Sequence, residues 1–161
     1  MSGVAEIAAR APRRSDRAVA AEDAAAVLAE GLYGVLSTVG PDGLPYGVPL
    51  SYIVRDNAIY FHCATVGRKL EHLDARPEVS FCVVGKVRTL PRQFATEYES
   101  AIAAGRASRV EGEEKRQALV GILEKYSPEF MPEGEKYLAA KFDAVTVVRI
   151  DIDTLSGKAR R

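Results

Sequence analysis

The chain has 161 residues, 47% of them apolar, and carries 22 basic against 22 acidic side chains for a formal net charge of zero. That size and composition suit one compact domain that buries roughly two-thirds of its unfolded surface, and the neutral balance excludes bulk attraction to nucleic acid or an anionic membrane. No apolar run approaches the ~20 residues of a membrane span and the N-terminus lacks the apolar core of a secretory signal, so a cytoplasmic protein is expected.

In chain order, residues 1–20 are rich in Ala and Arg with little periodicity and read as a flexible N-terminal arm ahead of a single domain over 21–161. EDAAAVLAE (22–30) combines helix formers, an acidic start and a Gly31 stop, which predicts a short helix. LYGVLSTV (32–39), GPDG (40–43) and LPYGVPLSYIV (44–54) predict two strands around a tight turn. Arg55, Asp56 and Asn57 then turn the chain into AIYFHCA (58–64), so three strands are expected to run as a meander. VGRKLEHLDARP (66–77), with Leu70 and Leu73 at helical spacing and Pro77 as a stop, predicts one or two helical turns.

EVSFCVVGKV (78–87) is expected as a strand, RTLPRQ as a basic loop, and TEYESAIAAGRASRV (96–110) as a long strand whose Gly105 marks a bulge or bend. EGEEKRQALVGILEKYSP (111–128) is amphipathic through Leu119, Ile122, Leu123 and Tyr126 and predicts a helix. A looser helical stretch follows over 135–141, and AVTVVRIDID (144–153) alternates as a half-buried last strand. Six or so strands with short connections and too few helices for crossovers predict a mainly β fold with flanking helices, a six-stranded antiparallel barrel.

Cys63 and Cys82 lie in separate apolar runs and form no C-x-x-C pair, so they read as small buried thiols. The two histidines, His62 and His72, have neither i, i+4 spacing nor a cysteine pair beside them, and no metal site is expected.

Period-2 alternation puts Ile59, Phe61 and Cys63 on the inner face of the 58–64 strand and turns Tyr60 and His62 outward. Just beyond, Arg68 and Lys69 fall in the first turn of a helix, where unpaired N–H groups and the peptide dipole already make the potential positive. Two cations there call for a negative group, so the Gly67-Arg68-Lys69 turn reads as an anion site that a phosphate fits best. Competing with this is an ordinary surface pairing with Glu71 or Asp74 at helical spacing, beside an exposed and idle His72. Pro49 lacks a ladder N–H, so the backbone around Val48, Leu50 and Ser51 is expected to have groups free for a flat heteroaromatic ligand; an ordinary edge or bulge proline explains it as well.

The run IYFHCATVGRKLEHLDARPEVSF resembles the flavin-binding segment of the pyridoxamine 5'-phosphate oxidase-like superfamily, the FMN-binding split β-barrels. From about residue 13 to the C-terminus, the order GVLSTVGPDGLPYGVPLSY, YFHCATVGRKLEHL, ATEYESAIAAGRA, EEKRQALVGILEKYSP and VVRIDIDTLSGKARR is similar to its nitroimidazole-resistance branch. The resemblance implies a homodimer with FMN at the subunit interface. It implies that Arg68 and Lys69 hold the FMN phosphate, that His62, Cys63 and Ala64 line the cofactor, and that Val48, Pro49, Leu50 and Ser51 border the isoalloxazine ring. Tyr98, Glu99 and Ser100 of a second copy would complete the site across the interface.

The activity implied is reduction of a small electrophile such as a nitroaromatic compound, with His62 as the catalytic proton donor. Alternatives on the same fold are a reductase using the deazaflavin F420 and a flavin- or haem-binding protein without turnover. The chain has no Trp and closes on TLSGKARR, unlike the substrate-binding segment of pyridoxamine phosphate oxidases, so vitamin B6 oxidation is not expected. A hydrolase built on Ser51 and His62 would lack the G-x-S-x-G elbow.

Overall fold

Seven strands, Gly34–Val39 (β1), Pro45–Leu50 (β2), Ile53–Arg55 (β3), Ala58–Ala64 (β4), Glu78–Leu90 (β5), Ala95–Val110 (β6) and Val145–Arg160 (β7), make one antiparallel sheet in the order β2-β1-β5-β6-β7-β4-β3. They come from a computed structural model that describes residues 11–161. Four helices flank the sheet among the described residues: Ala21–Glu30 (α1), Arg68–Ala75 (α2), Gly112–Tyr126 (α3) and Met131–Lys141 (α4). None of them is long and apolar enough to cross a membrane.

Seven strands stand where six were expected because the 44–54 segment is two strands. It breaks at Ser51 and Tyr52, sending β2 to one edge of the sheet and β3 to the other. The expected three-strand meander is therefore two separate hairpins, β1-β2 and β3-β4. The ladder does not close, yet Leu50 and Ile53 are near neighbours in the chain, which holds the two edges within ~10 Å at that corner and rolls the sheet.

Both hairpin turns follow from their residues. Gly43 takes φ 81° and donates its N–H to the Gly40 carbonyl at 2.9 Å, while the Asp42 carboxylate accepts the Leu44 N–H at 3.0 Å. Asp56 and Asn57, at φ 49° and 59°, supply the left-handed pair that a two-residue hairpin needs. The bulge expected at Gly105 is present: pairing steps from Ala104↔Thr154 to Gly105↔Ile152, leaving Asp153 as the extra residue. A Cβ at position 105 would collide with the Asp151 carbonyl oxygen, so glycine is required there.

β5 and β7 run further than their hydropathy suggests. Arg88 and Thr89 of the expected basic loop pair with Glu97 and Thr96, and the closing segment continues the ladder through Ala101↔Gly157 to Tyr98↔Arg160. Backbone pairing with a long neighbour holds these charged and small residues, whose side chains carry no alternation of their own. At the other end of the chain, residues 1–10 of the expected arm lie outside the described residues. Further along, Ala18 bridges Lys158 and the Val19 N–H donates to the Gly157 carbonyl at 3.2 Å.

Alternation sorts the strand side chains into two cores. Leu36, Ile59, Phe61, Phe81, Val83, Val148 and Ile150 fill the inside of the roll, with Leu28 of α1 and Leu70 and Leu73 of α2 closing it. From the opposite faces, Tyr60 and Val147 pack under α3 against Ala118, Leu119 and Ile122. Each large apolar side chain buried this way contributes roughly 1.5–3 kcal/mol. β7, expected to be half-buried, is thus covered on both faces around Val147 and Val148, and the outward-turned Tyr60 is buried with its hydroxyl donating to Glu114 at 2.9 Å.

Candidate functional site

Three residues, Thr65, Val66 and Gly67, separate the end of β4 from the start of α2. Gly67 takes φ 139°, a left-handed conformation suited to glycine, and no side chain caps the helix that starts at Arg68. Its first turn bond runs from the Glu71 N–H to the Gly67 carbonyl at 3.2 Å, which leaves the leading N–H groups without a capping partner. Leu70 and Leu73 bury the inner face of the helix, so Arg68 stands exposed and Lys69 half-buried at the rim.

Among the described residues neither cation forms an ion pair. Asp74, one of the two carboxylates at helical spacing, is taken by Arg109, whose Nη2 donates to its two oxygens at 2.7 and 2.9 Å. The Arg68 guanidinium instead lies over the ring of Tyr46, 5.0 Å from its centroid. Tyr46 meets His72 edge-on at 5.7 Å, and His72 Nδ1 lies 2.8 Å from the hydroxyl of buried Thr38. His72, expected to be exposed and idle, is therefore half-buried against the β1-β2 hairpin. The i, i+4 spacing of Arg68 and His72 was legible as one helix face, but the strand it meets was not.

On β4 the alternation holds. His62 is exposed by area, yet the atoms massed around its ring desolvate it enough to lower its pKa from 6.5. Cys63 points inward against the core, and burial pushes its thiol up, with Lys69 and Arg109 opposing part of that shift. It is a protonated thiol rather than a nucleophilic thiolate. Ala64 is exposed at the strand end, and both cysteines are free.

The strip from Val48 to Ser51 occupies the free edge of the sheet. Val48 and Leu50 lean on the core while Pro49 and Ser51 are exposed, and an edge is where a missing proline N–H costs no ladder bond. Behind this strip a polar knot fixes the chain. The Tyr52 hydroxyl donates to the Leu28 carbonyl, and the Tyr52 N–H donates to the Tyr126 hydroxyl at 3.0 Å. Lys125 Nζ donates to the Gly31 and Tyr52 carbonyls at 2.7 and 3.0 Å and sits 4.1 Å above the Tyr52 ring, where burial lowers its pKa.

Tyr98, Glu99 and Ser100 are half-buried on β6, and Glu99 lines a cleft with Val27, Glu30 and Gly31 beside the Tyr52 knot. His62, Val147 and Val110 stand side by side across three strands, and Tyr98 lies at the opposite end of β6, roughly 40 Å of strand at ~3.3 Å per residue. One copy of the chain does not bring them to Arg68. Tyr98 and Glu99 also border a cleft of about 650 Å³ with Lys86, Arg88 and Arg160. Among the described residues no three His, Cys, Asp or Glu side chains gather as a metal site.

This rolled antiparallel sheet is the fold of several solved proteins. A candidate 5-nitroimidazole antibiotic resistance protein from Bacteroides thetaiotaomicron is 21% identical, with 88% of this chain and 85% of that one covered and a TM-score of 0.71. A FAD-binding protein from Mesorhizobium loti is 25% identical over 90% and 98% of the two chains, with a TM-score of 0.69. A flavocytochrome from Azotobacter vinelandii is 21% identical over 94% and 73%, with a TM-score of 0.75. A comparison with curated proteins finds no match. A family profile described as pyridoxamine 5'-phosphate oxidase matches residues 20–159, and the chain belongs to that family.

Proposed function

We propose that the protein binds FMN and acts as an oxidoreductase on small electrophiles such as nitroaromatic compounds, as a homodimer. One observation carries this: Arg68 and Lys69 open an uncapped helix with no carboxylate answering them among the described residues. Unspent N–H donors and two free cations match the needs of a dianionic phosphate. His62, Cys63 and Ala64 would line the cofactor next to that phosphate, and Val48, Pro49, Leu50 and Ser51 would border the ring, with the Tyr52 knot holding the strip in place.

When bound, the flavin would supply the electron transfer itself. The chain would bind and orient it, and His62 would deliver a proton from an imidazole nitrogen. Because desolvation lowers the His62 pKa, only a small fraction is protonated at neutral pH, and turnover through it would fall as pH rises. The nitroaromatic substrate class draws on the likeness to the Bacteroides protein and a flavin on the FAD-binding Mesorhizobium neighbour, while FMN in particular draws on the resemblance of the 59–81 segment to the FMN-binding split barrels. The homodimer draws on the place of Tyr98 at the end of β6 opposite the one that neighbours His62, and on Val84, Val87 and Ile102, large apolar side chains left exposed on β5 and β6.

The flavocytochrome neighbour favours haem as a second ligand class on this fold, and the second reading is a flavin- or haem-binding protein without turnover, with an F420-dependent reductase as a further variant. Mass spectrometry of the ligand released from native protein, with light scattering for the dimer, separates these. FMN bleached by reduced nicotinamide and reoxidised by a nitro compound supports the proposal, whereas haem, or flavin that no nitro compound reoxidises, rejects it. The double variant Arg68→Ala, Lys69→Ala should lose retained flavin and stay folded, and unchanged flavin content would reject the phosphate assignment.

A further inference from the structure

We infer that Tyr46 is a positioning residue for the phosphate-binding cation, its ring a platform that holds the Arg68 guanidinium ready with its N–H edge free. The inference rests on the FMN reading of the site. Arg68 is the first residue of α2, exposed and without a carboxylate to hold it, and a long side chain of that kind loses rotamer freedom when it binds. The Tyr46 ring gives it a resting place: 5.0 Å to the centroid is well inside the ~6 Å range of an attraction between a cation and an aromatic face. A guanidinium that rests flat on a ring uses its face. Its five N–H donors lie in the plane and point from the edge, so ring and phosphate occupy different parts of the same group.

The platform is itself held from two sides. His72, one turn beyond Arg68 on the same helix face, abuts the Tyr46 ring at an interplanar angle of 77°. The Thr38 hydroxyl lies 2.8 Å from His72 Nδ1 and 3.4 Å from the Tyr46 carbonyl, and Thr38 and Tyr46 are register partners in β1-β2. Gly40 leaves His72 its space, since a Cβ there would come within 3.0 Å of Nε2. Contacts from β1 and α2 thus hold the Tyr46 ring in place, so the surface on which the Arg68 guanidinium rests is built by the fold rather than by a ligand.

The test measures dissociation constants of flavin-free protein for FMN and for riboflavin, which lacks the phosphate, by quenching of flavin fluorescence, with thermal melts as a folding check. Tyr46→Phe keeps the ring and should leave both constants unchanged. Tyr46→Leu should weaken FMN about two- to fivefold and leave riboflavin unchanged, the effect of an exposed cation–ring contact. In an Arg68→Ala background, Tyr46→Leu should weaken FMN no further. Equal loss for both flavins, the same loss without Arg68, or no loss at all would overturn the inference. If Arg68→Ala itself spares FMN affinity, the phosphate reading falls with it; if Arg68→Ala weakens FMN and Tyr46→Leu does not, only the platform falls.

Discussion

Replacing Tyr126 with Phe removes a single oxygen at the corner where β2 hands over to β3. That hydroxyl lies 2.7 Å from the Leu32 carbonyl, accepts the Tyr52 N–H at 3.0 Å, and lies 3.0 Å from the Tyr52 carbonyl. The three losses are unequal. Leu32 is exposed, so water replaces its bond at little cost. The Tyr52 carbonyl keeps Lys125 as a donor at 3.0 Å. The Tyr52 N–H belongs to neither flanking strand and loses its partner in a partly buried place, a penalty of about 1–3 kcal/mol. About 2 kcal/mol is expected, which lowers Tm by about 4–8 °C in a chain of this size. Urea melts should show a lower midpoint at unchanged slope, and the loosened Val48–Ser51 strip should bind flavin more weakly. A variant as stable as the parent would refute the view that this knot holds the sheet corner.

Gly105→Ala should cost at least about 1–3 kcal/mol, because a Cβ there meets the Asp151 backbone, which the β6-β7 ladder prevents from yielding; a melting curve within a degree of the parent would exclude the close approach. For His62, the unfolded ring titrates near 6.5 and the folded ring lower, so between those two values the unfolded chain binds more protons. Stability contributed by His62 is therefore intact above pH 6.5, declines as pH falls below it, and levels off beneath the folded value. His62→Gln should flatten that decline in urea melts between about pH 5 and pH 8, and an unchanged pH profile would assign the decline elsewhere. Turnover with a nitro compound, in the same variant, should lose its rise toward low pH.

Sequence alone determined the features that arise within a few residues of one another. GPDG and Asp56-Asn57 specify their turns through the positive φ values they accept, Gly105 marks a bulge, and the 3.6-residue period of Leu119, Ile122 and Tyr126 declares a helix. The anomaly at Arg68 and Lys69 was equally local, since charge at a helix start conflicts with the dipole wherever the helix later packs. Tertiary structure decided what depends on partners far along the chain. YGVPLSYIV reads as one strand by composition, and it breaks because the ends of α1 and α3 seize Tyr52 where the rolled sheet needs its seam. Tyr60 obeys its outward phase, but only the arrival of α3 buries it. His72 and Tyr46 acquire a role because α2 lands on the β1-β2 hairpin, joining Thr38 to a histidine 34 residues further along the chain, beyond β2 and the β3-β4 hairpin. Local patterns set each segment's conformation and phase, whereas which phases meet is set by the burial of apolar surface over the whole chain, and that sum has no signature in any short window.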